Sequence, residues 1–411
     1  MFSGRLFYFC QMDQVILFDD PALRGSLLPF TFTRPVADIR VGILKISEKW
    51  KFHFNLIPGY FTQDYLKSKF SHKNAPALFI NGALCPNEKL LAVIRQLPNG
   101  KSLWHESTLL AVHVDSPLSF SIDWAKEQEI VNYEGELTII KKNWHIYEFN
   151  PRELKIDFGL VTKNRQSGGV DDPHTIIYHP ENIFVEKGAS IKAAVLNAEN
   201  GPIYIGVNAE IQEGSMIRGP FALCEGSTVN MGAKIRGDTT VGPFSKVGGE
   251  ISNSVIFGYS NKGHDGFMGN SVVGEWCNFG ADSNVSNLKN NYASVKLWDY
   301  IKGGYMDTGQ QFCGIMMGDH SKCGINTMFN TGTVVGVGAN IFGAGFPRNF
   351  ITSFAWGGPQ GFSTYQFPKF EETATKVMKR RGMDFNQEEK DILYKVFELT
   401  KAYRIWDKEN N

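Results

Sequence analysis

Aliphatic side chains recur every sixth residue through the middle of this chain. Eight consecutive positions keep that register, and they are Ile205, Ile211, Ile217, Leu223, Val229, Ile235, Val241 and Val247. Further copies are found at Val185, Ile191, Phe267, Val273, Phe279, Val285, Met317, Cys323, Phe329, Val335 and Ile341. A fixed short period of this kind is typical of a solenoid built from stacked repeats.

Small residues follow the aliphatic ones at a constant distance. Four residues after each aliphatic position, six of the first eight side chains are alanine, serine or threonine. Each six-residue unit therefore predicts one short strand and one tight turn, with the aliphatic side chain inside a prism of three strands per coil. We expect a parallel β-helix over residues 180–350, with coils of about 18 residues.

The chain on the amino-terminal side of the repeats shows a different pattern. Short buried runs at residues 15–18, 77–80 and 109–112 predict strands. Residues 39–50 and 88–97 have the apolar spacing of helices. This alternation predicts an α/β domain with a mostly parallel sheet over residues 12–165, after a short leader at residues 1–11.

A helical tail is expected after the repeats, over residues 366–411. The two predicted helices cover residues 371–381 and 388–403, and Gly382 separates them. Asn386 and Glu389 have the spacing of a capping box at the start of the second helix.

Length and charge narrow the classes of function. A chain of 411 residues is long enough for two or three domains. Its 42 basic and 42 acidic residues leave no net charge, so we expect a small-molecule partner and no nucleic acid. No apolar run reaches the length of a membrane span, so no membrane-spanning helix is expected. Six scattered cysteines favour reduced thiols in the cytoplasm and no structural metal site: Cys10, Cys85, Cys224, Cys277, Cys313 and Cys323.

Four ordered motifs resemble a known family. They read NKGHDGFMG at 261–269, VGEWCNFGA at 273–281, SNLKNNY at 286–292 and GDHSKCGINT at 318–327. They resemble the acetyltransferase half of the GlmU-like bifunctional N-acetylglucosamine-1-phosphate uridyltransferases and glucosamine-1-phosphate acetyltransferases. Along nearly its whole length, including LLPFTFTRPVADIR at 27–40, the chain also resembles a family of predicted sugar nucleotidyltransferases from Bacteroidetes.

This resemblance implies a left-handed coil and an acyl-transfer site that uses acetyl-CoA. His264 is the expected catalytic base, because acyl transfer to an amine needs a group that titrates near neutral pH. Asn278, Asn291 and Tyr292 match positions that contact the sugar, with turn formation as the alternative role of the asparagines. Ala281, Ile325 and Gly343 match positions that line the acetyl-CoA groove. Phe267 stands where the family usually has tyrosine.

The amino-terminal domain departs from the nucleotidyltransferase pattern. The first strand runs into Asp19 and Asp20, where the family has a glycine-rich loop whose backbone amides bind phosphate. Arg24 and Arg34 are the candidates for the family's basic pair that binds substrate phosphate. Asn81 stands where the family has a carboxylate that binds Mg²⁺, the ion that accompanies the nucleoside triphosphate. We therefore expect weak or absent nucleotidyl transfer.

These observations predict a sugar-phosphate transferase of nucleotide-sugar biosynthesis, such as that of UDP-N-acetylglucosamine. In this reading the β-helix transfers an acetyl group to an amino-sugar phosphate. The alternative is an active uridylyl or thymidylyl transferase in which the β-helix serves assembly and binding. A zinc enzyme of the carbonic anhydrase type ranks lower, because only His264 and His320 lie in the motif region. The irregular segment 286–312 suggests a binding loop. A homotrimer is expected, with acyl sites between neighbouring prisms.

Overall fold

The computed structural model describes residues 14–407, which form an α/β domain, a parallel β-helix and a helical tail. The predicted leader at residues 1–11 lies outside the described residues. The predicted fold class is confirmed: an α/β amino-terminal domain precedes a hexapeptide-repeat β-helix and carboxyl-terminal helices. Among the described residues, no helix is long and apolar enough to cross a membrane.

A six-stranded mixed sheet forms the centre of the amino-terminal domain. From one edge to the other, its strands are Gly59–Phe61, Val15–Phe18, Ala77–Asn81, Thr108–Val114, Lys101–His105 and Glu129–Asn132. The first three strands run parallel, and Thr108–Val114 runs antiparallel to both of its neighbours. A second, two-stranded sheet pairs Leu84–Cys85 with Thr138–Ile139. The three strands predicted from the sequence are all present.

Six helices surround this sheet: α1 Pro21–Ser26, α2 Ile46–Phe54, α3 Glu88–Arg95, α4 Ile122–Lys126, α5 His145–Glu148 and α6 Asn150–Thr162. The prediction of one helix over residues 39–50 was wrong in its first half. Gly42 adopts a left-handed conformation with φ of 81°, which interrupts a helix, and α2 begins only at Ile46. The backbone amide of Lys45 donates to the carboxylate of Glu48 at that start.

The β-helix is a prism with three faces, which we number in the order in which the chain reaches them from Ile183 onward. Face 1 contains Ile183–Val185, Ile203–Ile205, Phe221–Leu223, Thr239–Val241, Val255–Gly258, Val272–Glu275, Ile315–Met317, Thr333–Val335 and Phe350–Ile351. Face 2 contains Ser190–Ile191, Glu210–Ile211, Thr228–Val229, Lys246–Val247, Asn261–Lys262, Asn278–Phe279, Lys322–Cys323, Asn340–Ile341, Ala355–Gly358 and Gly361–Thr364. Face 3 contains Ile176–Tyr178, Val195–Asn197, Met216–Arg218, Lys234–Ile235, Glu250–Ser252, Phe267–Gly269, Asn284–Val285 and Met328–Phe329.

Hydrophobic burial inside the prism follows the six-residue period. All eight aliphatic side chains of the uninterrupted run lie in one buried cluster. In the coils between Ile203 and Val247, paired residues on faces 1 and 2 are 18 residues apart, as in the pairing of Ile205 with Leu223. One predicted interior position was wrong: Met268 fills the core, and Phe267 beside it is only half-buried. The cause is a shorter coil, since Lys246 pairs with Asn261 only 15 residues later.

The segment at residues 286–312 leaves the prism and forms a hairpin of Lys296–Asp299 and Gly304–Asp307. Its aromatic side chains pack against other parts of the chain. The ring of Tyr300 contacts that of Phe32 edge-on at 5.3 Å, and Trp298 stacks on Phe350 at 4.1 Å. Much of the predicted binding loop therefore joins the α/β domain to the last coils and the tail.

The tail consists of α7 Phe367–Lys379 and α8 Gln387–Leu399, with the turn at Gly382 between them. The predicted cap at Asn386 is present, since its side chain accepts the backbone amide of Glu389 at 2.9 Å. Phe370 of α7 packs on Phe354 of the last coil at 5.0 Å. The tail also reaches earlier coils, since the guanidinium of Arg381 donates to the carbonyl oxygen of Phe244 at 2.7 Å, so it lies along the side of the prism.

Candidate functional site

The carboxylates after the first strand are both bound by the protein itself. Asp20 caps α1 and accepts the backbone amides of Ala22 and Leu23 at 2.9 and 3.3 Å. Asp19 accepts the backbone amide of Val36 and the hydroxyl of Thr62. Burial raises the pKa of Asp19, against the opposing charge of Arg24. The amides that a phosphate would need at this helix start are thus already paired with a side chain.

Arg24 and Arg34, the two predicted phosphate ligands, are buried and paired. The guanidinium of Arg24 donates to the carboxylate of Asp19, the carbonyl oxygens of Thr31 and Arg34 and the hydroxyl of Tyr65. Arg34 crosses to the β-helix, where its guanidinium binds the carboxylates of Asp319 and Glu275. In the described structure, neither guanidinium is presented to solvent as a free phosphate ligand.

The position expected for a Mg²⁺ ligand does not fit the metal. The amide group of Asn81 donates to the carbonyl oxygen of Leu109 at 2.9 Å and accepts the backbone amide of Ala83 at 3.0 Å. Over residues 14–407, no group of three or more histidine, cysteine, aspartate or glutamate side chains is placed to hold a metal ion. The side chain of Asn81 is therefore occupied by the backbone and assigned no role in binding Mg²⁺.

A network missed by the sequence analysis joins the two domains here. The hydroxyl of Thr33 donates to Asp319 at 2.6 Å, beside Arg34. Although burial opposes it, the charges of Arg34 and Lys45 hold the pKa of Glu275 well below its usual range. His320 packs flat against Trp276, and burial lowers its pKa. Asp319 was in a family motif, but its partner Arg34 lies in the other domain, 285 residues away in the sequence.

Four predicted site residues occupy one edge of the prism. Strand pairing aligns Asn261 with Asn278, Asn278 with Lys322, and Lys322 with Asn340. Three residues beyond these pairs lie His264, Ala281, Ile325 and Gly343. They are equivalent positions of four successive coils, at the corner where face 2 turns into face 3. We call this corner the 2–3 edge.

A groove of about 540 Å³ lies along the 2–3 edge. His264 and Ala281 line it, with Asn230 and Met231 from earlier coils. Gly248, Gly249 and Gly263 also line it, and at Gly249 only glycine fits, because a Cβ there would lie 2.6 Å from the carbonyl oxygen of Gly266. The imidazole of His264 is exposed and makes no hydrogen bond within the described chain. This side chain is free to meet a ligand in the groove.

Charge in the groove has one sign. Asp265 and Asp282 line it beside His264, and no lysine or arginine of the described chain does so. Carboxylates attract an ammonium group and repel a phosphate. The groove of a single chain therefore suits the amino end of an acceptor.

The three predicted sugar contacts are not brought together with His264. Asn278 is exposed on face 2, and its side-chain oxygen accepts from the amide group of Asn261 at 3.4 Å. Asn291 accepts the backbone amide of Ala293 within a turn, which is the alternative role stated for it. Tyr292 is 66% exposed beside it. None of the three is among the described residues that line the groove with His264.

Comparisons with known proteins agree with the two-part organisation. Residues 15–166 match the model of the sugar nucleotidyl transferase family. A bifunctional sugar-1-phosphate nucleotidylyltransferase/acetyltransferase of Sulfurisphaera tokodaii is 27% identical over 216 residues, which are 52% of this chain and 47% of that protein. The bifunctional protein GlmU of Methanococcus vannielii is 34% identical over 126 residues, 30% of this chain and 28% of that protein.

The chain spans about half, or less, of the length of these curated relatives. Among solved structures, the polySia-specific acetyltransferase NeuO is 18% identical and covers 47% of this chain and 85% of its own, with a TM-score of 0.26. The N-acyltransferase AntD from Bacillus cereus, solved with dTDP and coenzyme A, is 13% identical and covers 52% and 92%, with a TM-score of 0.22. The predicted resemblance to the GlmU-like family is confirmed, and the narrower Bacteroidetes group stays a prediction.

Proposed function

We propose that this protein is a sugar-phosphate transferase that works at the 2–3 edge, since residues 15–166 match the sugar nucleotidyl transferase model and parts of the chain are similar to bifunctional GlmU-like proteins. The reaction is acetyl transfer from acetyl-CoA to the amino group of an amino-sugar phosphate. The observation that carries the proposal is the open groove in which an exposed, unpaired His264 lies in line with Ala281.

The chemistry follows from the position of the imidazole. The acceptor nitrogen attacks the thioester carbonyl while His264 removes its proton. A carbon–nitrogen bond forms, the carbon–sulfur bond breaks, and the proton passes on to the leaving thiolate of coenzyme A. Ala281, Ile325 and Gly343 continue along the same edge, so the acyl donor lies along this row of small or exposed positions.

A homotrimer completes the proposed site. Exposed apolar side chains flank the 2–3 edge, including Met231 at 72% and Ile325 at 71% exposure. Since the described chain supplies no cation to the groove, a neighbouring copy must supply the charge that binds the substrate phosphate. Asn278, Asn291 and Tyr292 would contact the sugar from such a neighbour or from a rearranged loop.

Cytoplasmic location is part of the same proposal. Acetyl-CoA and nucleotides are available in that compartment. The five cysteines within residues 14–407 are free and buried, which fits a reducing environment.

The test is release of the coenzyme A thiol from acetyl-CoA with a panel of amino sugars and their 1-phosphates. We expect turnover with at least one phosphorylated amino sugar, at the roughly 1–10³ s⁻¹ of ordinary enzymes. Absence of thiol release with every acceptor in the panel would remove this function. Light scattering on the same sample tests assembly, and a monomer at micromolar concentration would contradict the shared site.

The second candidate is nucleotidyl transfer by the α/β domain, which the match of residues 15–166 favours. Its test is pyrophosphate release from UTP or dTTP with glucose-1-phosphate or N-acetylglucosamine-1-phosphate and Mg²⁺. The paired states of Asp20, Arg24 and Asn81 lead us to expect little or none.

A further inference from the structure

A lysine lies inside the prism next to His264. Lys262 pairs with Val247, whose side chain is in the buried core, and Lys262 itself is only 2% exposed. Ile256 and Met268 fill the interior on either side along the chain, each six residues away. Lys262 therefore occupies a position that other coils give to an aliphatic side chain.

The ammonium group of Lys262 is bound by the turn that carries the histidine. It donates to the carbonyl oxygens of His264 at 2.7 Å and Asp265 at 3.0 Å, with that of Gly248 at 3.4 Å. From the outer side, the side-chain amide of Asn230 donates to the carbonyl oxygen of Gly263 at 2.7 Å. Three consecutive carbonyls are thus held from two sides.

Neighbouring coils hold the same corner in another way. At the 2–3 edge, the hydroxyl of Ser283 donates to the carbonyl oxygen of Gly280, and that of Thr327 to the carbonyl oxygen of Gly324. The equivalent position in the coil of His264 is Gly266, which has no hydroxyl. A side chain cannot replace it, since a Cβ there would lie 2.2 Å from the carbonyl oxygen of Ser283 and φ is 108°. Asn230 supplies the donor to Gly263, whose carbonyl is equivalent to those of Gly280 and Gly324, and Lys262 binds the two carbonyls that follow.

We propose that Lys262 is a positioning residue for His264: with Asn230, it fixes the turn of residues 263–265 so that the imidazole is held in the groove. An unpaired carbonyl in a partly buried turn is unfavourable, so without the ammonium group the turn rearranges to find water or another donor. The expected effect on catalysis rests on the proposed acyl transfer. The expected effect on the position of the turn does not depend on that function.

The first experiment compares Lys262→Met with Lys246→Met, a control on the neighbouring strand where the side chain is exposed. Methionine suits the apolar interior, so the fold should be retained. We expect Lys262→Met to lower kcat at least 10-fold, with KM for acetyl-CoA within about twofold, and Lys246→Met to change neither. Parental kcat in Lys262→Met would overturn the proposal.

A second experiment does not depend on activity. With ¹³C-labelled histidine, the imidazole signal of His264 is assigned by its loss in His264→Ala. We expect that signal to shift and broaden in Lys262→Met and in Asn230→Ala, and to stay in place in Lys246→Met. An unchanged signal in both clamp variants would overturn the proposal. If the parent transfers no acetyl group to any acceptor, the proposed function fails while this experiment still decides on the clamp.

Asn230→Ala also covers the case in which Lys262→Met does not fold. Because both residues hold one turn, the double variant should lose less kcat than the product of the single losses, and the His264 signal should match that of the more affected single variant. Independent, fully multiplicative losses with an unshifted signal would contradict a shared turn.

Discussion

The end of the amino-terminal sheet and the 2–3 edge of the prism differ in what their polar groups bind. At the sheet end, Asp19, Asp20 and Arg24 all find partners in the protein. At the 2–3 edge, the imidazole of His264 faces a groove with no partner in the described chain. The sheet end lies within residues 15–166, which match the sugar nucleotidyl transferase model, and both regions contain residues that the sequence analysis predicted as site residues.

This difference indicates that a candidate binding site is recognised less by its residue types than by whether its polar side chains lack hydrogen-bond partners within the protein. A buried arginine between two carboxylates has already exchanged water for protein acceptors, so a phosphate gains little by replacing them. An exposed histidine above a glycine-lined floor has made no such exchange. The predictions below test each half of this comparison, beginning with the largest expected effect.

Removing the imidazole should nearly abolish acetyl transfer. His264→Ala is expected to reduce kcat by about 10²–10⁴, the usual contribution of a general base, with little change in stability because the side chain is exposed. His174→Ala, which removes another exposed histidine far along the chain, is the matched control. Steady-state release of the coenzyme A thiol measures both. Equal rates for the two variants would assign the base to another group.

Removing the arginine between the domains should destabilise the fold. Arg34→Met leaves Asp319 and Glu275 without their main counter-charge, and breaking a buried pair in this way costs about 3–5 kcal/mol. Arg218→Met, an exposed arginine on face 3, is the control. Urea denaturation gives the free energy of unfolding. Lost phosphate binding at unchanged stability would instead make Arg34 a ligand.

Stability at alkaline pH should depend on Lys262. Burial lowers its pKa to about 8, against the raising effect of Asp265, Cys323 and Asp282. The unfolded chain therefore binds more protons between about pH 8 and the ordinary lysine value near 10.4. The parent should gain on the order of 1–3 kcal/mol relative to Lys262→Met as pH rises through this window, and nothing below it. A difference in unfolding free energy that is flat from pH 7 to 10 would contradict this prediction.

The smallest effect is expected at the cap of α1. Asp20→Ala should lower the free energy of unfolding by about 1 kcal/mol, because the amides of Ala22 and Leu23 lose their acceptor. Asp20→Asn keeps a capping oxygen and should be nearly neutral. Thermal unfolding compares the two. No change in either variant would mean that Asp20 is not occupied by the helix and is available for other chemistry.

Periodicity carried the prediction of the prism because interior positions repeat with one residue type. The same rule failed where the repeat changed. Lys262 is not aliphatic and therefore breaks the pattern. Its interior position follows only from the strand pairing, because the spacing between paired strands shortens from 18 to 15 residues before this position. For the same reason, the sequence analysis assigned the interior position to Phe267, although Met268 occupies it.

Site residues were predictable where they share one edge and not where they depend on another domain. His264, Ala281, Ile325 and Gly343 fall in register once strands are paired, so the motif order already implied their grouping. Arg34 was assigned to phosphate as one of the family's basic pair, and its contact with Asp319, 285 residues along the chain, was missed. No local spacing reports such a contact.

The central claim is that this chain binds its acyl donor at the 2–3 edge and leaves the end of the amino-terminal sheet closed. The most direct test is the thermal unfolding midpoint with acetyl-CoA or with UTP and Mg²⁺, for the parent and for Ala281→Trp, which fills the groove. Acetyl-CoA at 100 times its Kd should stabilise the parent by about 2.7 kcal/mol and leave Ala281→Trp unchanged, while UTP shifts neither. A midpoint raised by UTP and Mg²⁺, with no response to acetyl-CoA, would contradict it.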